Sequence, residues 1–400
     1  MRSAPVLTTD RGLYVHYPYC EKKCPYCDFN VHAIPHDDRR YTDAILAELS
    51  LRAKDYDPPF HTLYFGGGTP SEWDPTELLR VLRFVKDEIG LDEGAEITLE
   101  SNPGTIGESR IEAFRRAGIT RFSLGVQSFD DRELASLGRT HTGDEAARIM
   151  ALAKASGAKT SLDLIYGIPG QTEDRAIDSV DRALSLSPDH VSAYTLTIEP
   201  DTPLGKRTKL GLYVPMEDDQ QASMIEAVTH RLERAGHLRY EVSSYAPIGR
   251  EAIHNAIYWT GGPYLGVGAG AHSYRPEPHL DRAVRRENVR APSAYLESLG
   301  AGRVAATFEE QLSKTEAIGD RLLAGVRTAW GIDLARLANE TQIGDALEVA
   351  LRPAILRLGE EGLIARAGSV VHPTARGFLF ADRIGRTLLQ ALERLDTQPR

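Results

Sequence analysis

Cys20, Cys24 and Cys27 are the only cysteines in 400 residues, and all lie in the run Tyr14-Val-His-Tyr-Pro-Tyr-Cys20-Glu-Lys-Lys-Cys24-Pro-Tyr-Cys27-Asp-Phe29. Three thiolates at C-x3-C-x2-C spacing can hold three irons of a [4Fe–4S] cube and leave the fourth iron open. An open iron on a reducing cluster is a place to bind and cleave a ligand. A structural zinc ion is the other metal reading, and it would need a fourth ligand from His16 or His32. A disulfide fits poorly, because the cysteines are crowded and their odd count leaves one unpaired.

Further chemistry-bearing residues recur downstream at regular intervals. Phe65-Gly66-Gly67-Gly68-Thr69-Pro70 offers backbone that can approach a ligand closely, or simply a tight turn. Glu100-Ser101-Asn102-Pro103-Gly104 puts a carboxylate where it could bind hydroxyl or ammonium groups, or stabilise its own loop. Gly125-Val126-Gln127-Ser128-Phe129 follows, then Leu137-Gly138-Arg139, then Asp163-Leu-Ile-Tyr-Gly-Ile-Pro-Gly170. A polar residue near the end of each successive unit is hard to explain by packing. In His254-Asn255-Ala-Ile-Tyr258-Trp259 an imidazole could ligate iron and the aromatics could stack on a porphyrin. The alternative is a core histidine beside a packed Tyr–Trp pair. Arg282, Arg285, Arg286 and Arg290 could meet carboxylates or form a solvated face.

The elements that must position these residues alternate. Strand-like runs fall at Leu13–His16, Thr62–Phe65, Glu96–Glu100, Arg121–Val126, Ser161–Tyr166 and Val191–Ile198. Between them lie helical patterns at Arg40–Ala53 (apolar Ile45, Leu49, Leu51), Pro75–Ile89, Ser109–Ala117 and Asp144–Ser156, the last two stopped by Gly118 and Gly157. Six β-α units predict a parallel sheet with right-handed crossovers. That is too few for a closed barrel, so the expected fold class is α/β with a partial (β/α)6 barrel. The cysteine loop then falls at the strands' C-terminal ends, where such folds place their chemistry. The spacing predicts a tail over 1–10, the barrel over 11–245, an extension with the His-Asn-x-x-Tyr-Trp motif over 246–304, and a smaller helical, winged-helix-like domain over 305–400. Its third helix, Ala346–Glu360, carries too many acids for a phosphate-binding face, and its last helix is expected over Thr374–Leu395.

Composition narrows the class. The net charge of -10 argues against extensive nucleic-acid contact. No run approaches the ~18 apolar residues that span a bilayer, and Met1–Asp10 lacks a signal-peptide pattern. A cytoplasmic protein is expected, with peripheral membrane contact at most; that setting also keeps thiols reduced.

Taken together, the cysteine loop and the four downstream motifs resemble the coproporphyrinogen III oxidase-like branch of the radical S-adenosylmethionine (SAM) superfamily, over roughly residues 10–390. The resemblance implies a [4Fe–4S] cluster on Cys20, Cys24 and Cys27, and SAM contacts from Tyr14, Gly67, Gly68, Thr69, Glu100, Gln127, Arg139 and Asp163. The oxidases of that branch carry a fourth cysteine two positions after the third and a long N-terminal arm. Here Phe29 stands at that position, and nineteen residues precede Cys20. Cys27-Asp28-Phe29 and the His254, Asn255, Tyr258, Trp259 motif instead resemble the haem-chaperone type. That type implies haem b bound through His254 and passed to membrane respiratory haem proteins, with a homodimer allowed. Oxidative decarboxylation of coproporphyrinogen III remains the rival reading.

Overall fold

The computed structural model describes residues 3–393 of the chain. Six strands, β1 (Gly12–Tyr17), β2 (Phe60–Gly67), β3 (Leu91–Ser101), β4 (Arg121–Gln127), β5 (Lys159–Tyr166) and β6 (His190–Thr195), lie side by side in parallel. They are the predicted six, although the last ends at Thr195, before Ile198. Helices cross between them where the sequence places capping signals. Asp74 caps Pro75–Phe84, Thr142 and Glu145 form a capping box on Gly143–Ala155, and Gly118 ends Glu108–Ala117 at φ 115°. The expected helix Pro75–Ile89 stays α-helical to Phe84 and widens into a π turn over Val85–Ile89.

The strands alternate strictly. Leu63 and Phe65, Ile97 and Leu99, Phe122, Leu124 and Val126, and Leu162 and Leu164 face the helices and form the main core. The residues between them face inward and are mostly polar. A strand's period of two therefore divides one element into a packing face and a chemistry face.

The sheet is wider than six strands. β7 (Leu238–Arg239) and β8 (Ser244–Ala246) close the β6 side antiparallel, in the order β6-β8-β7. On the other side β9 (Tyr264–Val267) pairs with β1 in parallel, followed by antiparallel β10 (His272–Pro276), β11 (Arg282–Asn288) and β12 (Ala306–Ser313). The glycine-rich segment Gly261–Gly270 thus supplies a seventh parallel strand. It is fixed by a buried pair in the helix Asp38–Arg52. Arg52 donates to Glu48 (2.5 Å), to the Gly266 carbonyl (3.1 Å) and to Ser273 (2.9 Å), while Glu48 accepts from Gly268 N (2.9 Å), Asn288 (2.8 Å) and Tyr295 (2.7 Å). In the same helix Ile45 and Leu49 are buried as expected, whereas Leu51 is exposed.

The C-terminal module contains helices Lys314–Gly325, Leu334–Glu340 and Asp345–Glu360. A three-stranded sheet of β13 (Ile332–Asp333), β14 (Ile364–Ala367) and β15 (Val370–Pro373) follows the winged-helix pattern. The expected last helix divides into Ala375–Leu379 and Ala381–Leu392, and its expected end at Leu395 lies outside the described residues. Arg282, Arg285 and Arg286 of the arginine-rich stretch lie on β11: Arg285 pairs with Glu310 (3.3 Å) and Asp320, and Arg286 with Glu309 (2.9 Å), so these two cations are already satisfied.

Candidate functional site

The cysteine loop leaves β1 and is pinned on three sides. Gly68 N and Thr69 N donate to the Tyr17 and Tyr19 carbonyls (2.7 and 2.8 Å), Glu72 accepts from Glu21 N (2.9 Å), and Leu204 N donates to the Pro25 carbonyl (2.9 Å). Glycine is required at 68, because a Cβ there would sit 2.3 Å from the Tyr19 carbonyl oxygen. Gly67, at φ +116°, would meet the His16 ring at 2.6 Å. The Gly-Gly-Gly-Thr segment is thus the bed on which the cysteine loop lies. Thr69 Oγ1 touches Cys20 Sγ at 3.1 Å.

Burial pushes the Cys20 thiol up to about 12 and also raises Cys27, and neighbouring thiols add to both shifts. Such sulfurs become thiolates readily only beside a cation, as ligands of iron would be. Among the described residues, no three His, Cys, Asp or Glu side chains converge on a single ion position. A cube does not need that convergence, since each cysteine takes a different iron. His16 is not free to complete a zinc site. Its Nδ1 meets Tyr14 Oη and its Nε2 the Asn30 carbonyl, both at 3.0 Å, and His32 Nε2 lies 3.2 Å from Asn30 Oδ1. The donor set fits the cluster better than zinc.

Beneath the loop a cavity of about 580 Å³ runs through the barrel. Its walls are the inward residues of β3–β6: Thr98 and Glu100, Arg121, Ser123 and Gln127, Ser161 and Asp163, His190 and Ser192. Of the expected residues, Cys20, Cys24, Cys27, Gly67, Gly68, Thr69, Glu100, Gln127, Arg139, Asp163 and Asn255 line this one space. Tyr14 does not. Its ring clusters with Tyr64 and His254, with centroids 5.9 and 6.3 Å away.

Glu100 accepts from Tyr64 Oη (2.7 Å) and Gly67 N (2.9 Å), yet burial raises its carboxyl to about 7. Burial likewise raises Asp163 to about 6. Arg139 donates to Asn102 (2.9 Å) and the Gly125 carbonyl (2.8 Å) and reaches Cys24 Sγ at 3.5 Å. Among the described residues its Nε is buried without a partner, as is Thr98 Oγ1. Gln127 ends β4 at φ 70°, where the β4–β5 register slips, so strained backbone aims this residue. A bore with two proton-holding carboxyls and an unspent guanidinium donor suits a ligand bearing hydroxyl, ammonium and carboxylate groups, as SAM does. The inner-face residues Thr98, Arg121, Ser161, His190 and Ser192 escaped the motif reading. The alternation of apolar and polar residues in their strands is the signal that carries them.

The His-Asn-x-x-Tyr-Trp motif forms the helix Ile253–Thr260. It lies under the other end of the barrel, with Ile253 N donating to Glu96 (2.9 Å) and His254 beside Gly12. Val6 of the N-terminal tail packs with it. His254 is 1% exposed, and both of its nitrogens are bonded, Nδ1 to Thr62 Oγ1 (2.7 Å) and Nε2 to Tyr258 Oη (2.6 Å). Burial lowers its pKa to about 3. An iron could reach Nε2 only after Tyr258 moved. The structure brings Asn255, Tyr258 and Trp259 together on a groove of about 550 Å³ that shares Asn255 with the bore and faces Leu323 and Arg327 of the C-terminal module.

Comparison with known proteins agrees with this anatomy. The profile of the Radical SAM superfamily matches residues 14–183, and that of the HemN C-terminal domain matches residues 312–380. The chain is 38% identical over 392 residues to heme chaperone HemW of Mycobacterium tuberculosis, covering 96% of each chain. It is 32% identical over 385 residues to heme chaperone HemW of Bacillus subtilis, covering 94% of this chain and 98% of that one. Among solved structures, coproporphyrinogen III oxidase (HemN) from Escherichia coli superposes with TM-score 0.80 at 20% identity, covering 96% of this chain and 91% of that one, a likeness of fold. The chain belongs to the radical SAM superfamily and, within it, to the family of heme chaperone HemW.

Proposed function

We propose that this protein carries haem b to acceptor proteins, with a [4Fe–4S] cluster and SAM at its core. The reading rests on one conjunction: a cysteine loop pinned over a polar bore, in a chain related over nearly its whole length to heme chaperones. Cys20, Cys24 and Cys27 hold the cluster. The Gly67–Thr69 backbone, Glu100, Gln127, Arg139 and Asp163 hold SAM, and Tyr14 supports them from below. When bound, the cluster supplies the electron that splits the sulfonium of SAM. Around it, Arg139 offers Nε to a carboxylate. Glu100 and Asp163 stay partly protonated near neutral pH and so can donate as well as accept.

The haem side of the reading draws on the motif. Tyr258 and Trp259 give a groove wall on which a porphyrin can stack, with Asn255 beside them. His254 ligates iron only if Tyr258 Oη leaves its Nε2. Acceptors are membrane respiratory haem proteins met from the cytoplasm by peripheral contact; a homodimer is compatible, and nucleic acid is not a partner. No helix among the described residues is long and apolar enough to cross a membrane.

The experiment is spectrophotometric. Reconstituted protein is titrated with haem, then mixed with membranes from a haem-deficient strain. Saturation near one equivalent and movement of haem into the membrane fraction support the reading. Failure to bind haem above an albumin control overturns it.

A further inference from the structure

A haem carries two propionates as well as an iron, and cations to meet them are scarce beside the motif helix. The groove at Asn255, Tyr258 and Trp259 is also lined by Glu241 and Asp320. Among the described residues the one cation lining it is Arg327, whose guanidinium already bonds Asp382 (2.6 Å) and the Leu323 carbonyl (2.6 Å). A porphyrin stacked in this groove therefore turns its carboxylates away from the acidic side.

The groove adjoins the bore, because Asn255 and Tyr194 line both. On the bore side lies a floor, one layer below the residues assigned to SAM. Thr98 and Ser161 stand two positions before Glu100 and Asp163 on the same inward faces, roughly 7 Å lower along their strands. Arg121, at the start of β4, and Ala252, at the cap of the motif helix, line the same space.

Arg121 is 1% exposed and held in place from two sides. Its Nε donates to Glu96 (2.9 Å), and its Nη2 donates to the Glu251 and Arg250 carbonyls (3.0 and 3.3 Å). Glu251 immediately precedes Ala252, so the guanidinium sits against the turn that leads into Asn255. Its Nη1 is buried without a partner among the described residues, and so is Thr98 Oγ1 in the same layer. Glu96 is not spent on Arg121 alone, since Lys159 approaches the same carboxylate at 3.8 Å. A fixed, buried guanidinium with one arm unspent is a donor for an acceptor that arrives with a ligand, and a carboxylate is the acceptor it suits best.

We infer that a propionate of the haem carried on the motif groove passes between Asn255 and Tyr194 and is bound at the floor of the bore by Arg121 Nη1. The inference rests on the haem-carrying reading and adds to it the residue that fixes the porphyrin's orientation. It also places haem and SAM in adjoining layers of one cavity.

The test titrates full-length, cluster-reconstituted protein with ferric haem and with its dimethyl ester, both in the same dilute detergent, and follows the Soret band. The ester keeps the macrocycle and the iron but loses the carboxylates. Wild-type protein should bind haem about tenfold more tightly than the ester. Arg121→Lys keeps a charge beside Glu96 and loses the free arm of the fork. It should weaken haem binding toward that of the ester and leave ester binding unchanged. Ser123→Leu fills the floor from the next inward position of β4 and leaves Arg121 and Glu96 in place, so it should erase the same preference even if Arg121→Lys does not fold. Equal wild-type affinity for haem and ester, or a preference that survives in the folded variants, overturns the inference. Weakened SAM binding with unchanged haem binding in Arg121→Lys also overturns it, by giving the guanidinium to SAM. In each of these cases the haem-carrying reading stands, whereas no haem binding by the wild-type protein removes both.

Discussion

At the scale of residues, the chain separates groups that need a partner from groups that already have one. Cys20 and Cys27 are raised by burial and by the neighbouring thiols. Replacing any one of Cys20, Cys24 or Cys27 by serine should abolish stable iron and sulfide incorporation while shifting the iron-free protein's stability by no more than about 1 kcal/mol. Iron and sulfide analysis beside a thermal melt reads both. Glu100 and Asp163 make a second prediction. Both carboxyls bind protons more tightly folded than unfolded, so the stability they contribute is complete below their ordinary values of 4.5 and 3.8. It is lost as pH rises through about 7 and about 6. Between pH 5 and pH 8 the melting temperature of the SAM-free protein should fall more steeply than that of a Glu100→Gln, Asp163→Asn double variant. Parallel curves would contradict this. Residue types and spacing made the cysteines, Glu100, Arg139 and Asp163 legible in the sequence. The state of His254 was not, because one of its partners is Thr62, 192 positions away.

At the scale of elements, the decisive device is one loop lying on another. A methyl group at Gly68 collides with the Tyr19 carbonyl, which backbone geometry holds in place. Gly68→Ala should therefore cost roughly 1–3 kcal/mol and reduce cluster incorporation more than Gly107→Ala, where a Cβ meets open space. Equal incorporation by the two variants would mean that the glycine bed does not shape the cysteine loop. The motif helix gives a parallel case. Tyr258→Phe leaves the buried His254 Nε2 without its partner, a loss of about 1–3 kcal/mol, readable by chemical denaturation. The six strands were legible because an apolar face alternates with a polar one. β9 was not, since Tyr264-Leu265-Gly266-Val267 is short and interrupted by glycine. Its place depends on Glu48 and Arg52, which helical periodicity alone does not single out as buried.

At the scale of the whole molecule, the C-terminal module is not an appendage. Tyr274, Ala283 and Leu312 of the sheet share one apolar core with Ile318, Leu322, Leu351, Ile384 and Leu388 of the module. Removing residues 314–400 should expose that core and yield aggregated protein, and the full chain should show no separate melting of the module by calorimetry. The sequence signalled the module through its helices and β-wing. It did not show the shared core, which requires β10–β12 to extend the sheet. The central claim is that a radical SAM core here serves a haem carrier and not a porphyrinogen decarboxylase, consistent with an exposed Phe29 where the oxidases carry a fourth cysteine. The measurement that tests it most directly is an anaerobic incubation of the reconstituted protein with SAM, a strong reductant and coproporphyrinogen III, following 5′-deoxyadenosine and protoporphyrinogen IX. The account predicts no protoporphyrinogen IX above background, whatever the yield of 5′-deoxyadenosine. Accumulation of both with turnover would contradict it.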